Sequence, residues 1–150
     1  AVGACYANRR PTICFMGDAA AEEDYALTAL GWAATQALPI LFVVEDNNLA
    51  ILTEKRVRRS WSMVEVARGF GLEALDLTDD PRVILEALRG SFQRPRLLNV
   101  NTHRMGWHVG AGVDDPSVFD RHAEVSKGID AHVAATAFQQ AMAVVSEAWR

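Results

Sequence analysis

Two segments set the expected fold of this chain: Gly17-Asp18-Ala19, and Pro39-Ile40-Leu41-Phe42-Val43-Val44, which runs on into Glu45-Asp46-Asn47-Asn48-Leu49. The apolar run 40–44 is typical of a strand that is buried on both faces of a sheet. A second such run, 12–16, ends just before Gly17, and the residues between the two runs have a helical pattern. A strand, a helix and a second strand in this order predict two parallel neighbouring strands.

Each of these strands is followed by a side chain that carries an oxygen ligand. Asp18 follows the first strand, and Asn47 follows the second, 29 positions further on. Because parallel strands end along one edge of a sheet, we expect Asp18 and Asn47 to meet there. Carboxylate and amide oxygens suit Mg²⁺ or Ca²⁺. Two side chains are too few for a closed site, so such a metal would take further oxygens, typically from a phosphate ligand.

The pair resembles the diphosphate motif of thiamine-diphosphate enzymes, and run 39–45 resembles a strand of the alpha subunits of 2-oxo acid dehydrogenase E1 components. The resemblance implies that Mg²⁺ is bound by the side chains of Asp18 and Asn47 and by the backbone carbonyl of Leu49. The cofactor diphosphate would complete the shell, with Gly17 and Ala19 also at the cofactor. Taken separately, Gly-Asp and Asn-Asn are also ordinary turn and helix-cap material.

Ala19 departs from the family pattern, because it stands where the family has a second glycine. A methyl group is a small change there if φ is negative and a strained one if φ is positive. The metal site survives in the first case, whereas the second would weaken cofactor binding.

A second point of resemblance follows the fourth predicted strand, in Thr102-His103-Arg104-Met105-Gly106-Trp107-His108. Arg104 and His108 fall on an arginine and a histidine of the E1 alpha pattern, which implies that both lie near the cofactor diphosphate or the substrate. The segment from His108 to Asp114 is two residues longer than in the family. A histidine on a loop with glycines can exchange protons near neutral pH, so we interpret His108 as catalytic. A surface ion pair of Arg104 and a solvent-exposed loop His108 are the alternatives.

The rest of the chain alternates between strand and helix patterns, which predicts an α/β fold: a parallel sheet flanked by helices, as in the diphosphate-binding half of thiamine-diphosphate enzymes. The expected strands are 12–16, 40–44, 72–77 and 96–100. The expected helices are 22–37, 63–70, 81–89 and a helical region from 118 to 150 with a break at Gly128.

Charged residues cluster at two further places. Glu22, Glu23 and Asp24 are interpreted as solvated acids that open the helix 22–37, where the helix dipole favours negative charge, with a subunit contact at Glu23 as the alternative. The predicted loop 48–60 carries a basic run, interpreted as solvated or as a docking surface for an acidic carrier domain. That run consists of Lys55, Arg56, Arg58 and Arg59. His122 and His132 are interpreted as surface residues.

Composition restricts the class of protein. The 150 residues are 50% hydrophobic, which suits one globular domain over 1–150, and the first residue, Ala1, suggests a domain that lacks its N-terminal part. A net charge of −4 argues against nucleic-acid binding. No apolar run reaches membrane-spanning length. The two cysteines, Cys5 and Cys14, indicate a reduced, cytoplasmic protein.

The resemblance implies an alpha-type subunit that decarboxylates a 2-oxo acid and passes the acyl unit to a lipoyl or other carrier domain. It also implies a beta-type partner, in a heterotetramer, that carries the pyrimidine-binding domain and the activating glutamate. No residue of this chain matches that glutamate, so we expect activity only with the partner.

Two alternatives stay open. Glu45-Asp46-Asn47 also resembles the Asp-Asp-Asn of transketolases, which predicts a split transketolase-like subunit that transfers a two-carbon ketol unit to an aldose or a carrier thiol. The spacing from Asp18 to Asn47 and the residues Arg104 and His108 favour the E1 interpretation. The second alternative is a non-catalytic α/β interaction subunit that has lost its cofactor, for which Ala19 is the best support.

Overall fold

A computed structural model describes residues 1–89, 93–106, 108 and 118–149. The chain divides into two compact units, Ala1–Val118 and Phe119–Arg150. The first unit holds a four-stranded sheet with its helices, and the second unit is helical. A single domain over 1–150 that lacks its N-terminal part stays a prediction.

The described elements follow the predicted alternation. In chain order they are α1 Val2–Asn8, β1 Thr12–Gly17, α2 Asp18–Ala21, α3 Asp24–Thr35, β2 Ile40–Asp46, β3 Leu49–Ala50, β4 Thr53–Glu54, α4 Lys55–Arg58, α5 Met63–Gly69, β5 Glu73–Thr78, α6 Pro81–Ala87, β6 Arg96–Asn101, α7 Arg121–Ser126 and α8 Ala131–Ala148. All four predicted strands are confirmed, as β1, β2, β5 and β6.

The main sheet has the order β1-β2-β6-β5, and every neighbouring pair in it is parallel. Its register aligns Gly17 with Glu45, and Asn101 with both Asp46 and Thr78. All four strands therefore end along one edge, as a parallel α/β sheet requires. The predicted fold class, a parallel sheet flanked by helices, is confirmed.

The core is built on the two central strands. Side chains alternate between the faces of a strand, so Phe42 packs with α3 and α5 on one face. Leu41 and Leu98 pack on the other face, against residues of α6. Both faces of β2 and β6 are covered, which explains their almost continuous apolar sequences.

The predicted helix 22–37 is present as α3, which begins two residues later, at Asp24, and a separate short helix precedes it. A short helix, α2, begins directly at Asp18, and α3 begins only after Glu23, whose backbone is extended with φ −66° and ψ 146°. The chain leaves α3 through Ala37, which has φ 46°, and Pro39 then prevents further helix. The break at Glu23 turns the chain, so that Glu22 lies at the sheet edge instead of in the first turn of a long helix.

The second unit consists of α7 and α8. Asp120 and Asp130 cap their N-termini, each accepting hydrogen bonds from backbone N–H groups of the following turn. The predicted break near Gly128 is confirmed, and His122 and His132 are exposed as predicted. Among the helices of the described ranges, none combines the length and apolar character that crossing a membrane requires.

Candidate cofactor and metal site

Asp18 lies at the sheet edge where β1 ends, as the first residue of α2. Its side chain is almost fully buried, because the residue is only 2% exposed. A buried carboxylate needs a charge partner, and here the Nη2 of Arg58 donates to its Oδ2. Asp18 is therefore a buried carboxylate whose charge is balanced by the side chain of Arg58.

The backbone of Ala19 is helical, so the methyl group is the small change considered from the sequence and not the strained one. It lies inside α2 and is absent from the residues with positive φ in the described chain. Its methyl group therefore introduces no backbone strain. Space is open beside it, because a Cβ placed on Gly17 would have no atom within 4 Å. A ligand can approach the backbone there.

Asn47 and Leu49 are placed by two consecutive side-chain turns after β2. Asp46 Oδ1 accepts the N–H of Asn48 at 3.0 Å, and Asn47 Oδ1 accepts the N–H of Leu49 at 2.9 Å. Asn48 takes φ 68°, which asparagine tolerates better than most residues. The chain then forms the β3–β4 hairpin, where Leu49 pairs with Glu54, and α2 packs against both β2 and β3. Asp18, Asn47 and Leu49 thus belong to neighbouring elements at one edge.

The basic run is largely turned inward, so the prediction of a solvated or docking loop is wrong for most of it. Arg58 is only 14% exposed in its side chain and Arg59 only 3%. Arg58 Nη1 donates to Glu22 Oε1 at 2.7 Å, and Arg59 Nε lies 3.2 Å from the same oxygen. Arg56 alone fits the prediction, since its side chain is 78% exposed and pairs with Glu54. The predicted loop 48–60 itself contains β3, β4 and α4.

The interpretation of Glu22 as a helix-start residue in solvent is also wrong. Its side chain is 16% exposed and contacts both Arg58 and Arg59. The division between α2 and α3 turns Glu22 toward the segment 55–59, which no local pattern in the sequence indicates.

Asp46 is the centre of a second buried charge network that sequence reasoning missed. The residue is 3% exposed, and its Oδ2 accepts hydrogen bonds from Lys55 and from Asn99, with Arg59 Nη2 at 3.6 Å. Burial alone would raise the pKa of Asp46. The hydrogen bonds from Lys55, the N–H of Asn48 and Asn99 outweigh burial and hold that pKa below its ordinary value. Asp46 is therefore ionised at neutral pH.

Replacing Asp46 with asparagine is expected to cost about 3 kcal/mol of folding free energy at neutral pH, because the buried Arg59 and the partly buried Lys55 lose their charge partner. The pKa of Asp46 is lower in the folded protein, so its contribution is complete above the ordinary value of 3.8 and is lost as pH falls below it. Urea unfolding at neutral and at acidic pH measures both effects. The matched control is the exposed Asp24→Asn. An equal gap between variant and unmodified protein at both pH values would contradict this assignment.

Several buried polar atoms at this edge have no hydrogen-bond partner in the described structure. They include Arg58 Nε, Arg59 Nη1 and Asn99 Oδ1. Two clefts open here, of about 410 and 500 Å³, and Asp46, Asn48, Lys55 and Asn101 line both of them. Buried donors without partners are rare in folded proteins and are commonly satisfied by a ligand. The free guanidinium donors fit an anionic ligand.

Arg104 lies beside the hairpin. Its Nη1 donates to the carbonyl of Ile51 at 2.6 Å, and the residue lines the larger cleft together with Asn47 and Leu49. His108 is exposed. The residues around it, Trp107 and 109–117, lie outside the described part of the chain, and so do the departures from the family pattern noted there.

The oxygen atoms available at this edge fit a metal ion that is bound partly by the protein and partly by a ligand. Among the described residues no group of three or more His, Cys, Asp or Glu side chains could hold a metal ion. Asp18, Asn47 and the Leu49 carbonyl instead offer one carboxylate, one amide and one backbone oxygen. Such an open set of oxygens is typical of Mg²⁺ bound together with a phosphate ligand.

Residues 3–147 match the family model of the dehydrogenase E1 component. The mouse mitochondrial 2-oxoisovalerate dehydrogenase subunit alpha is 30% identical over an alignment of 139 residues, which covers 84% of this chain and 31% of that protein. The Mycobacterium tuberculosis 3-methyl-2-oxobutanoate dehydrogenase subunit alpha is 29% identical, with 85% of this chain and 38% of that protein covered. The chain therefore spans about a third of these relatives.

Solved structures show the same fold. The thiamine diphosphate-dependent 4-hydroxybenzoylformate decarboxylase of Rhodococcus jostii RHA1 matches with a TM-score of 0.53 and 24% identity. The match covers 69% of this chain and 22% of that one.

Proposed function

The chain belongs to the dehydrogenase E1 component family, and from this premise we propose that it binds the diphosphate of thiamine diphosphate together with Mg²⁺. The activity we propose is that of an alpha-type subunit, which decarboxylates a 2-oxo acid and passes the acyl unit to a lipoyl or other carrier. The observation that carries the proposal is the buried Asp18 at the same sheet edge as Asn47 and the β3–β4 hairpin.

Each residue of the site has a proposed role. The Asp18 carboxylate, the Asn47 side-chain oxygen and the Leu49 carbonyl would hold the metal. Gly17 and Ala19 would let the diphosphate approach the backbone, since the space beside Gly17 is open. When bound, thiamine diphosphate supplies the electron sink that decarboxylation of a 2-oxo acid needs.

Arg104 and His108 complete the proposed site on its open side. Arg104 is anchored on Ile51 and lines the cleft beside Asn47, so its charge would favour an anionic ligand there. His108 would carry a proton to or from the reacting groups, since imidazole exchanges protons near neutral pH.

A partner subunit is supported by apolar surface that stays exposed within each unit. On α3, Tyr25 and Trp32 are exposed. In the second unit, exposed side chains include Phe138 and Val144 on α8 and Trp149 directly after it. Apolar patches of this kind usually mark interfaces. We propose a beta-type subunit with the pyrimidine-binding domain and the activating glutamate as the partner, in a heterotetramer.

The non-catalytic interpretation loses its main support. It depended on Ala19 as a strained replacement for glycine, and Ala19 has ordinary helical geometry. A cytoplasmic location also stays a proposal, which rests on the unpaired state of Cys5 and Cys14.

The chain expressed alone is expected to be inactive, and the complex with a beta-type partner is expected to release CO₂ from branched 2-oxo acids. The reason is that this chain offers no counterpart of the activating glutamate. The assay compares the chain, the partner and the complex on 2-oxo acids and on ketose phosphates. Turnover by the isolated chain would contradict partner dependence. Turnover of ketose phosphates alone would replace this activity with the transketolase-like one.

A further inference from the structure

Arg58 occupies the carboxylate that the proposed function assigns to the metal. Its Nη2 donates to Asp18 Oδ2, and its Nη1 donates to Glu22 Oε1 at 2.7 Å. The guanidinium therefore bridges two acids from a position 40 residues beyond Asp18 in sequence. It is well ordered by this fork, since both bonds are made by the same planar group.

We propose that Arg58 is a built-in competitor of the metal: it neutralises Asp18 while the site is empty, and a divalent cation must displace it in order to bind. This inference rests on the proposed function, because it takes Asp18 as a metal ligand. It adds a residue that controls metal loading, in a segment where the sequence indicated only a solvated or docking loop.

Charge is the reason for the competition. Asp18, Glu22 and Asp46 are matched at this edge by Lys55, Arg58 and Arg59, which form ion pairs with them. These side chains by themselves are therefore already close to charge balance. A divalent cation added at Asp18 would meet a guanidinium on the same carboxylate, and two cations this close repel each other. Metal alone is thus bound weakly.

A diphosphate would add negative charge at this edge and so favour the binding of a divalent cation. The guanidinium that leaves Asp18 keeps Glu22 and gains a second anion, and its Nε has no hydrogen-bond partner in the described structure. Arg59 Nη1 likewise has no hydrogen-bond partner in the described structure, while Arg59 Nε faces Glu22 Oε1 at 3.2 Å. Metal and diphosphate therefore help each other to bind, and by linkage each raises the affinity of the other by the same factor. Part of that coupling comes from Arg58.

The test is a titration with Mn²⁺, a paramagnetic substitute for Mg²⁺, followed by electron paramagnetic resonance on the full chain with any subunit that copurifies. Arg58→Gln is expected to bind Mn²⁺ alone about tenfold more tightly than the unmodified protein, because the competing charge is gone. Added thiamine diphosphate should then increase Mn²⁺ affinity less than it does in the unmodified protein. Arg56→Gln is the matched control, since the exposed Arg56 pairs only with the partly buried Glu54 among the contacts described for it, and the Mn²⁺ affinity of this variant should be unchanged.

Arg58→Lys keeps the inference testable if Arg58→Gln does not fold. A lysine keeps the charge but cannot form the fork to Asp18 and Glu22, so a smaller gain in Mn²⁺ affinity is expected. Unchanged or weaker Mn²⁺ binding in every folded Arg58 variant would overturn the inference. So would the absence of Mn²⁺ binding in both the unmodified protein and a folded Arg58→Gln.

Asp18→Asn separates the two claims. If this variant loses Mn²⁺ binding while the Arg58 variants show no gain, the competitor role fails and the metal site stands. If Asp18→Asn binds Mn²⁺ as well as the unmodified protein does, the metal lies elsewhere, and the proposed function and the inference fail together.

Discussion

Replacing Asp18 with alanine is expected to abolish binding of Mg²⁺ and thiamine diphosphate, with affinity lowered by about 100-fold or more. Asp18 is the only carboxylate of the proposed metal shell, and it is 2% exposed, so water cannot easily replace its oxygens. The measurement is calorimetric titration of thiamine diphosphate into the variant with Mg²⁺ in excess.

The control for Asp18→Ala is Asp24→Asn, an exposed acid at the first residue of α3. Asp18→Ala also removes a partner of Arg58, and breaking a buried ion pair costs about 3 kcal/mol. Thermal unfolding must therefore show that the variant is folded, and Asp18→Asn provides a version of the same size. Undiminished cofactor binding in a folded Asp18 variant would contradict the assignment of Asp18 as a metal ligand.

His108→Ala is expected to lower kcat of the assembled enzyme by about 100-fold or more, because general acid or base catalysis contributes that much. Cofactor affinity should change far less than kcat, since the proposed metal shell does not include His108. Steady-state assays on the complex, together with the calorimetric titration, separate the two quantities.

The matched control for His108 is His122→Ala, an exposed histidine in α7. It should keep full activity. If His108→Ala also keeps full kcat and full cofactor affinity, His108 is an ordinary loop residue and its match to the family pattern has no functional meaning.

The sheet was predictable because its signal is local and strong. The runs 12–16 and 40–44 are continuous apolar segments of strand length, and only a sheet covered on both faces buries such segments. Strand order also fixes where Asp18 must lie, because the register of β1 against β2 brings Gly17 opposite Glu45. The alternation of helices and strands along the chain then leaves only a few possible topologies for the remaining elements.

The charge network at the sheet edge was not predictable from local pattern. Asp18 and Arg58 are 40 residues apart, and Asp46 meets Asn99 across 53 residues. A basic run in a polar segment looks like a solvated loop, because exposure is the commonest state of arginine and lysine. The usable signal was charge balance: the buried Asp18 and Asp46 and the partly buried Glu22 need cationic partners at this edge, and the run 55–59 supplies them.

The short helix α2 and the later start of α3 were missed for a similar reason. A continuous helical pattern from 22 to 37 gives no sign that Glu23 adopts an extended backbone, or that α2 starts immediately at Asp18. Tertiary contacts decide here, because α2 packs against β2 and β3. Propensity is a weak guide when a four-residue helix is held by its neighbours.

The central claim is that this chain holds a metal and a diphosphate together at the edge defined by Asp18 and Asn47. The most direct test is calorimetric titration of thiamine diphosphate into the full chain with its copurifying partner, first with Mg²⁺ and then with EDTA. We predict saturable binding with Mg²⁺, at equal numbers of cofactor and chain, and its loss in EDTA. Equal binding in EDTA, or no binding with Mg²⁺ present, would contradict the claim.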